Sequence, residues 1–504
     1  MMKKLLALLL CLVLLTGCAA ADTTPSTQAG HVDSDDNGLC DDCNVNLMVV
    51  VDLFGINDLH GKVADGDNHP GVDELTTYIK KAREENDHVI FLSAGDMWQG
   101  SSESNLTKGN LTTEWMNDVG FAAMTLGNHE YDWSSAPIAD NAELAQFPLL
   151  AINVFDRETD QRVSYCEAST VVDLGSIQVG IIGAMGDCYS SIAADKSADV
   201  YFKTGDDLTN LVIAESARLR SEGVDLIVYS IHDGYDQSKG GSVTQVSDRV
   251  FEGYYDTALS DGYVDIVFEA HTHQRYILQD TAGVYHLQNG GDNEGISTAE
   301  AVVNSVTGTV KVRNPKLIAT GTYARMDDDP IVEQLLAQYD DQLAIAKKLL
   351  GNNGSRRNRN ELRQIGADLY YDAGIAKWGV DYDIVLGGGF FSVRDPGFLD
   401  PGPVYYSDLY GLFPFDNDLV LCSVKGKDLQ EKFFETDNSS YFISYGRYGE
   451  QVRQNIDPNE TYYIVVDSYT SLYAPNRLTE VARYEPGVYL RDLFAEFVST
   501  GALE

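Results

Sequence analysis

Five short stretches of this chain each set a carboxylate, an imidazole or an amide at the end of an apolar run. "LMVVVDLFGINDLHG" carries Asp58 and His60, "HVIFLSAGDMW" carries Asp96, and "FAAMTLGNHEYD" carries Asn128 and His129. "DLIVYSIHDG" carries His232, and "DIVFEAHTHQ" carries His271 and His273. Carboxylate, imidazole and amide oxygen are the donors that hard-to-borderline divalent ions such as zinc, manganese or iron take, and no thiolate stands among them. Asp58, His60, Asp96, Asn128, His232, His271 and His273 suffice for two ions that share one carboxylate. Two ions roughly 3.5 to 4 Å apart suit in-line displacement at phosphorus, one helping to generate a hydroxide and both stabilising charged oxygens. A lone histidine at a strand end is ordinarily a satisfied structural group. Five of the nine histidines in four such ends are not explained that way. His31, His69, His88 and His286 have no such context and read as structural.

The elements that position these groups are strands. In open α/β sheets ligands bind beyond the carboxyl ends of the strands, so five such ends can converge on one site. Strand-length apolar runs alternate with helical patterns to about residue 320, as layered βαβ-type units do. Then "IVEQLLAQYDDQLAIAKKLL" puts Ile331, Leu335, Tyr339, Leu343, Ala346 and Leu350 on one face, which predicts a single amphipathic helix ending at Gly351, followed by the loop "NNGSRRNRN". With 504 residues the chain exceeds one compact core. The expected organisation is a leader (1–17), an acidic tether (18–45), a first domain (46–325), a linking helix (326–350) and a second α/β domain (351–504).

The net charge of −41, from 77 acidic and 36 basic residues, argues against a nucleic-acid polymer or an anionic membrane surface as partner. Two divalent ions would outweigh Asp58 and Asp96 and make a positive spot on an acidic protein. "MMKKLLALLLCLVLLTGCAA" reads as a secretory signal too short to span a bilayer, so export is expected. Leu-Thr-Gly-Cys resembles a bacterial lipoprotein box with Cys18 lipidated, the only membrane attachment expected; ordinary cleavage near Ala21 is the alternative. Cys40, Cys43, Cys166, Cys188 and Cys422 form no disulfide scaffold. Asp33, Asp35, Asn37 and Gly38 match the first half of a calcium loop, but Asn44 replaces the glutamate of the twelfth position. A solvated acidic tether is the default reading there, and calcium at Asp33, Asp35 and Asn37 the alternative.

"NDLHG", "GDMWQGS", "GNHEYDW", His232 and "HTH" resemble the five-part signature of the calcineurin-like metallophosphoesterases. With its C-terminal part included, the chain is similar to the secreted 5′-nucleotidase family, which also contains UDP-sugar hydrolases and 2′,3′-cyclic-nucleotide phosphodiesterases. The resemblance spans roughly residues 47–480 and implies a four-layer α/β/β/α sandwich followed by a 5′-nucleotidase-type domain. It implies one metal at Asp58, His60, Asp96 and His273 and the other at Asp96, Asn128, His232 and His271, with Asp96 bridging. It makes His129 the group that faces the phosphate, stabilising the transition state or protonating the leaving oxygen, and Asp132 the group that orients its ring. Ala270 stands where the family has a glycine.

In the family the second domain stacks the base between two aromatic rings. "LFPFDN" matches its Pro-Phe-x-Asn stretch, which gives Phe415 and Asn417, and "DSYTSLY" offers Tyr469 as the second ring. Two motifs depart. "LGGGFFSVR" has Leu386 for an asparagine and displaces the arginine to Arg394, while "YAPNR" replaces the segment whose aspartate binds ribose. Glycines 387–389 suit a close backbone approach. Arg356, Arg357, Arg359 and Arg363 read as substrate contacts or as a solvated basic loop. The expected function is a cell-surface, two-metal phosphoesterase acting on a nucleotide. Its alternatives are a metallophosphoesterase for a non-nucleotide ester and a non-catalytic surface binder.

Overall fold

The computed structural model of the protein describes residues 31–504 except 67–69, 236–261, 281, 390–392, 395, 432–443 and 473–477. The leader, Cys18, His69 and "YAPNR" lie outside the described residues.

Period-2 alternation makes the early strands two-faced. In Met48–Ile56, Val51 and Leu53 turn one way and Phe54 and Ile56 the other; in Val89–Ser93, Ile90 and Leu92 oppose Phe91. Val51, Leu53, Ile90 and Leu92 meet Val179, Ile181, Val228 and Phe268 of a second sheet and form the layer between the sheets. The outer face of the first sheet packs under helices Asp73–Glu85 and Asn110–Val119 through Leu75, Ile79, Leu111 and Trp115. Helix Asp206–Ser221 covers the other sheet through Leu208, Val212 and Leu219. The result is the four-layer α/β/β/α sandwich.

Each sheet of this sandwich has six strands. In the first, Met48–Ile56, Val89–Ser93 and Ala123–Thr125 are neighbours and run parallel, so three carboxyl ends emerge side by side. In the second, Gln178–Met185, Leu226–His232 and Ile266–Phe268 do the same. The proposed donors therefore come from two sheets rather than one.

The C-terminal part is built on a five-stranded mixed sheet in the order Ser444–Tyr445, Ile384–Gly389, Thr461–Asp467, Leu419–Lys425, Thr479–Arg483. Helix Arg359–Trp378 packs on one face through Leu362, Ala367 and Tyr370 against Leu419, Leu421 and Val465. Val420, Cys422, Ile464 and Val466 point to the other face. Gly387 is needed for this packing: a Cβ there would lie 2.4 Å from Tyr371 N and 2.5 Å from Ala367 O of the helix. The close backbone approach expected of the glycine run is, at Gly387, an approach to helix backbone.

The linking helix differs from expectation. Helix Ile331–Gln338 is followed by a separate turn, Asp340–Leu343, and then by strand Leu349–Asn353. The apolar stripe serves two cores. Val332, Leu335, Tyr339 and Leu343 pack into the first-domain cluster, whereas Leu350 belongs to the second-domain cluster. Leu349 pairs antiparallel with Tyr405, which a continuous helix could not do. The stretch predicted as the loop "NNGSRRNRN" is also structured. Asn358 closes a capping box with Glu361, its side chain accepting Glu361 N at 3.1 Å while the Glu361 carboxylate accepts Asn358 N at 2.8 Å, and helix Arg359–Trp378 starts there. Among the described residues no helix is long and apolar enough to cross a membrane.

Candidate metal centre and substrate cleft

The donor-bearing turns are held in an unusual backbone state. Asp58, His60, Asp96, His271 and His273 have φ values of 50°, 52°, 55°, 69° and 52°. Left-handed backbone at non-glycine residues costs of order 1–3 kcal/mol each and gathers at functional sites. Neighbouring bonds impose it here. Asp58 N bonds to Gly95 O at 2.9 Å and His60 N to Asp96 O at 3.0 Å, zipping the first two turns together. The Asp58 carboxylate accepts His271 N–H at 2.9 and 3.2 Å, tying the first sheet to the second. The buried strands offset the strain, since each fully buried aliphatic or aromatic side chain contributes roughly 1.5–3 kcal/mol.

Glu130, fully buried, is a site residue that the sequence reading missed. Its carboxylate accepts the N–H groups of Asp96 (2.9 Å), Met97 (2.8 Å), Trp98 (3.3 Å) and Gly127 (2.6 Å). It thereby pins the Asp96 turn to the Asn128 turn. The available signal was an acid inside "GNHEYD", next to proposed site residues. Gly127 is required by the same proximity, because a Cβ there would lie 2.2 Å from Asp96 Oδ1.

Two donor clusters result. Asp58, His60 and His273 form one; Asp96, His232 and His271 form the other. His60 Nε2 lies 3.1 Å from His273 Nε2, which is 3.3 Å from Asp58 Oδ1. His232 Nε2 lies 3.1 Å from Asp96 Oδ2 and 4.0 Å from Asp58 Oδ1. The second ring nitrogens set the tautomers: His60 Nδ1 meets Gln99 O at 2.9 Å and His232 Nδ1 meets Ala94 O at 2.7 Å. A carbonyl only accepts, so each Nδ1 carries its proton and each Nε2 faces the donor cluster.

The residues fit divalent ions on three counts. Asn128 Oδ1 is buried with no hydrogen bond among the described residues, a donor left for a cation. Burial, with the His273 charge beside it, pulls His60 down to about 3, and burial pulls His271 to about 4, which favours neutral rings able to offer a lone pair to a cation. Burial alone would raise Asp58 and Asp96, but the neighbouring histidines hold both below the usual carboxylate range. His232 is opposed by burial yet lifted to about 10 by Asp96, a pull that a bound cation would replace.

His129 opens a 3₁₀ turn, His129–Trp133, in which residues three apart eclipse. That brings Asp132 Oδ2 to 2.8 Å from His129 Nδ1. His129 Nε2 lies 4.0 Å from Asp96 Oδ2 and 2.7 Å from Arg394 Nη2. The Phe415 ring lies 5.7 Å from the His129 ring and 5.2 Å from Arg394 Cζ. A cavity of about 290 Å³ joins the two halves, lined by Asp96, His271 and His273 on one side and Phe415, Asn417 and Tyr469 on the other. Lys196, Tyr370 and Asp467 also line it; no motif pointed to Lys196 or Tyr370, and Asp467 opens the stretch that offered Tyr469.

The remaining candidates lie elsewhere. Arg356 stacks 3.6 Å from the centroid of Phe398 and pairs with Asp400, and none of Arg356, Arg357, Arg359 and Arg363 is among the residues lining the cavity. His286 is a buried core group, its Nδ1 2.8 Å from Glu269 Oε1 and its Nε2 3.7 Å from Asp280 Oδ2. Asp33, Asp35 and Asp41 bring carboxylates together near the N-terminus; the Asn37 side chain bonds to Asp35 and to Leu39 N.

Residues 54–275 match the family model for calcineurin-like phosphoesterases, and residues 342–452 match that for the 5′-nucleotidase C-terminal domain. The chain is 25% identical over 479 residues to protein UshA of Yersinia enterocolitica, covering 84% of this chain and 85% of that protein. It is 25% identical over 420 residues to an apyrase of Tabanus yao, covering 76% and 72%. A solved 5′-nucleotidase precursor from Thermus thermophilus shares the fold with a TM-score of 0.67 at 19% identity, covering 90% of this chain and 96% of that one.

Proposed function

From the premise that this chain belongs to the calcineurin-like phosphoesterases of 5′-nucleotidase type, metal-dependent hydrolases of phosphoric esters, we propose that it is a dinuclear enzyme acting on nucleotides. The observation that carries this reading is the shared cavity, in which the metal-type donors and Phe415, Asn417 and Tyr469 face one another across His129. Asp58, His60, Asp96 and His273 would hold one divalent ion and Asp96, Asn128, His232 and His271 the other, of the zinc, manganese or iron type. When bound, the pair supplies Lewis acidity at the phosphoryl oxygens and a hydroxide nucleophile at neutral pH.

The protein's own groups do the rest. Phe415 and Tyr469 offer flat faces to a base, with Asn417 beside them. Arg394, a fixed cation with a planar fork of donors, suits a phosphate. Once Arg394 has left and Nε2 has taken up a proton from solvent, the doubly protonated His129 ring would give that proton to the leaving oxygen, while Asp132 keeps the ring turned by holding Nδ1–H. Substrate arrival has to displace Arg394 from Nε2 first.

5′-Monophosphates are the primary substrates in this reading, with 2′,3′-cyclic nucleotides and UDP-sugars as further ones. Phosphate release from nucleoside monophosphates, cyclic nucleotides, UDP-glucose and sugar phosphates, alongside metal analysis, tests it. Turnover of sugar phosphates alone would favour the second reading, a non-nucleotide ester, for which the displacement of the arginine to Arg394 speaks. Export, anchoring at the cell surface through a lipid on Cys18, and calcium at Asp33, Asp35 and Asn37 complete the proposal. Mass analysis of the mature N-terminus and thermal unfolding with and without calcium test them.

A further inference from the structure

One of the four histidines without strand-end context, His31, meets two cysteines. His31 Nδ1 lies 3.2 Å from Cys40 Sγ and 3.4 Å from Cys43 Sγ, and the three donor atoms all fall within 4.8 Å of one another. A tetrahedral ion with bonds of about 2.3 Å to sulfur and about 2.0 Å to nitrogen spaces its donors roughly 3.5 Å apart, close to what is seen. The turn is built to hold them. Cys40 N bonds to Val45 O and Asn44 N to Cys40 O, curling Cys-x-x-Cys back on itself, while Asp41 N bonds to Val32 O and draws His31 alongside. Backbone N–H groups of Val32 and Asp42 face the Cys40 sulfur, and that of Val45 faces the Cys43 sulfur.

The cysteines divide accordingly. Cys166, Cys188 and Cys422 are buried and burial pushes their thiols up, Cys422 to about 12, which makes them inert. Cys40 and Cys43 instead lie beside the His31 ring, Cys40 buried and Cys43 exposed. Thiolate and imidazole together select a soft-to-borderline ion, unlike the oxygen-rich centre of the cavity.

We propose that His31, Cys40 and Cys43 form a third metal site, separate from the phosphoesterase centre, that binds a zinc-type ion and clamps the N-terminal segment to the first domain. Cys43 is exposed, so the fourth position opens to water. The clamped segment is already seated: Asn304 Nδ2 donates to Asp33 at 2.7 Å and to Asp36 at 3.0 Å, and Leu47 N bonds to Gly38 O at 2.9 Å. An ion here would fix the segment just before its first strand begins at Met48.

Cobalt substitution of the metal-free full-length protein separates this site from the other, because only thiolate ligands give an intense near-ultraviolet sulfur-to-cobalt band and the cavity has none. The expected result is that band in the wild type, its absence in the doubly substituted Cys40→Ser, Cys43→Ser protein, and one metal equivalent fewer per chain. Phosphate-ester turnover should stay within about twofold. His31→Ala, which keeps both thiols, should weaken cobalt binding at least about tenfold, since even residues that only orient a ligand cost that much. A wild type without the band, a band that survives in the double variant, or a Cys40–Cys43 disulfide in protein isolated without reductant would each overturn the proposal.

Discussion

Arg394 Nη2 lies 2.7 Å from His129 Nε2, a contact that crosses from the second domain into the first. A guanidinium only donates, so it takes the lone pair of Nε2 and leaves the ring proton on Nδ1, where Asp132 accepts it. The contact is one of several across this seam. Asn105 Nδ2 donates to Pro414 O at 2.8 Å, Lys108 pairs with Asp416 at 2.8 Å, and Arg483 pairs with Asp195 at 3.2 Å. The aromatic side of the cavity is thus held over the donor clusters by polar contacts.

His129→Ala should keep both metals at the main centre while turnover falls by roughly 10² or more, the scale of a general acid or a positioned charge stabiliser. Metal analysis and steady-state rates on the same preparation decide it. Loss of a metal equivalent would make His129 a ligand and remove the role given to Asp132.

Asp96→Asn should abolish turnover more completely than His60→Ala. In the proposed ligand set Asp96 alone serves both ions, and its carboxylate also accepts His129 N at 2.8 Å. A purified Asp96→Asn protein with two metals and near-normal rate would refute the bridge.

Glu130→Gln should destabilise the first domain by about 1–3 kcal/mol, the cost of leaving buried hydrogen-bonding groups unpaired, because the amide NH₂ cannot accept the two N–H groups that one carboxylate oxygen now takes. Urea unfolding measures the loss. Metal affinity should fall with it, since the Asp96 and Asn128 turns would no longer be pinned to one another; an unchanged unfolding midpoint would mean that the pin is dispensable.

Phe415→Ala should impair hydrolysis of AMP far more than that of p-nitrophenyl phosphate, which has no nucleobase. Stacking on an aromatic ring is worth roughly 1–3 kcal/mol per base and is tolerant of base identity. Equal AMP rates for wild type and variant would show that this side of the cavity recognises something other than a base.

The donor stretches were legible because strand periodicity and a polar terminus coincide: Val89–Ser93 is apolar up to its last residue and the acid follows three residues later at Asp96. That the ends divide between two sheets was not legible, since pairing such as Val179 with Leu226 is a long-range fact with no local signature. The stripe from Ile331 to Leu350 has a helix's period but two destinations, and only the tertiary fold shows that Leu350 turns into a strand. Arg394 could be named from the displaced motif, yet its partner His129 is 265 positions away. His31 follows no strand that would mark it, although its partners lie only 9 and 12 residues downstream.

The bond from His271 N to Asp58 spans 213 positions and joins the two sheets. Nothing local can assemble that junction, because closing so long a loop has to precede the contacts that reward it. The donor clusters are therefore late products of folding, complete only when the sheets have docked. Metal ions bound at the proposed centre would then act as a final lock rather than as a nucleus. The kinetic signature is a main refolding phase whose rate is indifferent to added metal, followed by an unfolding rate that metal slows.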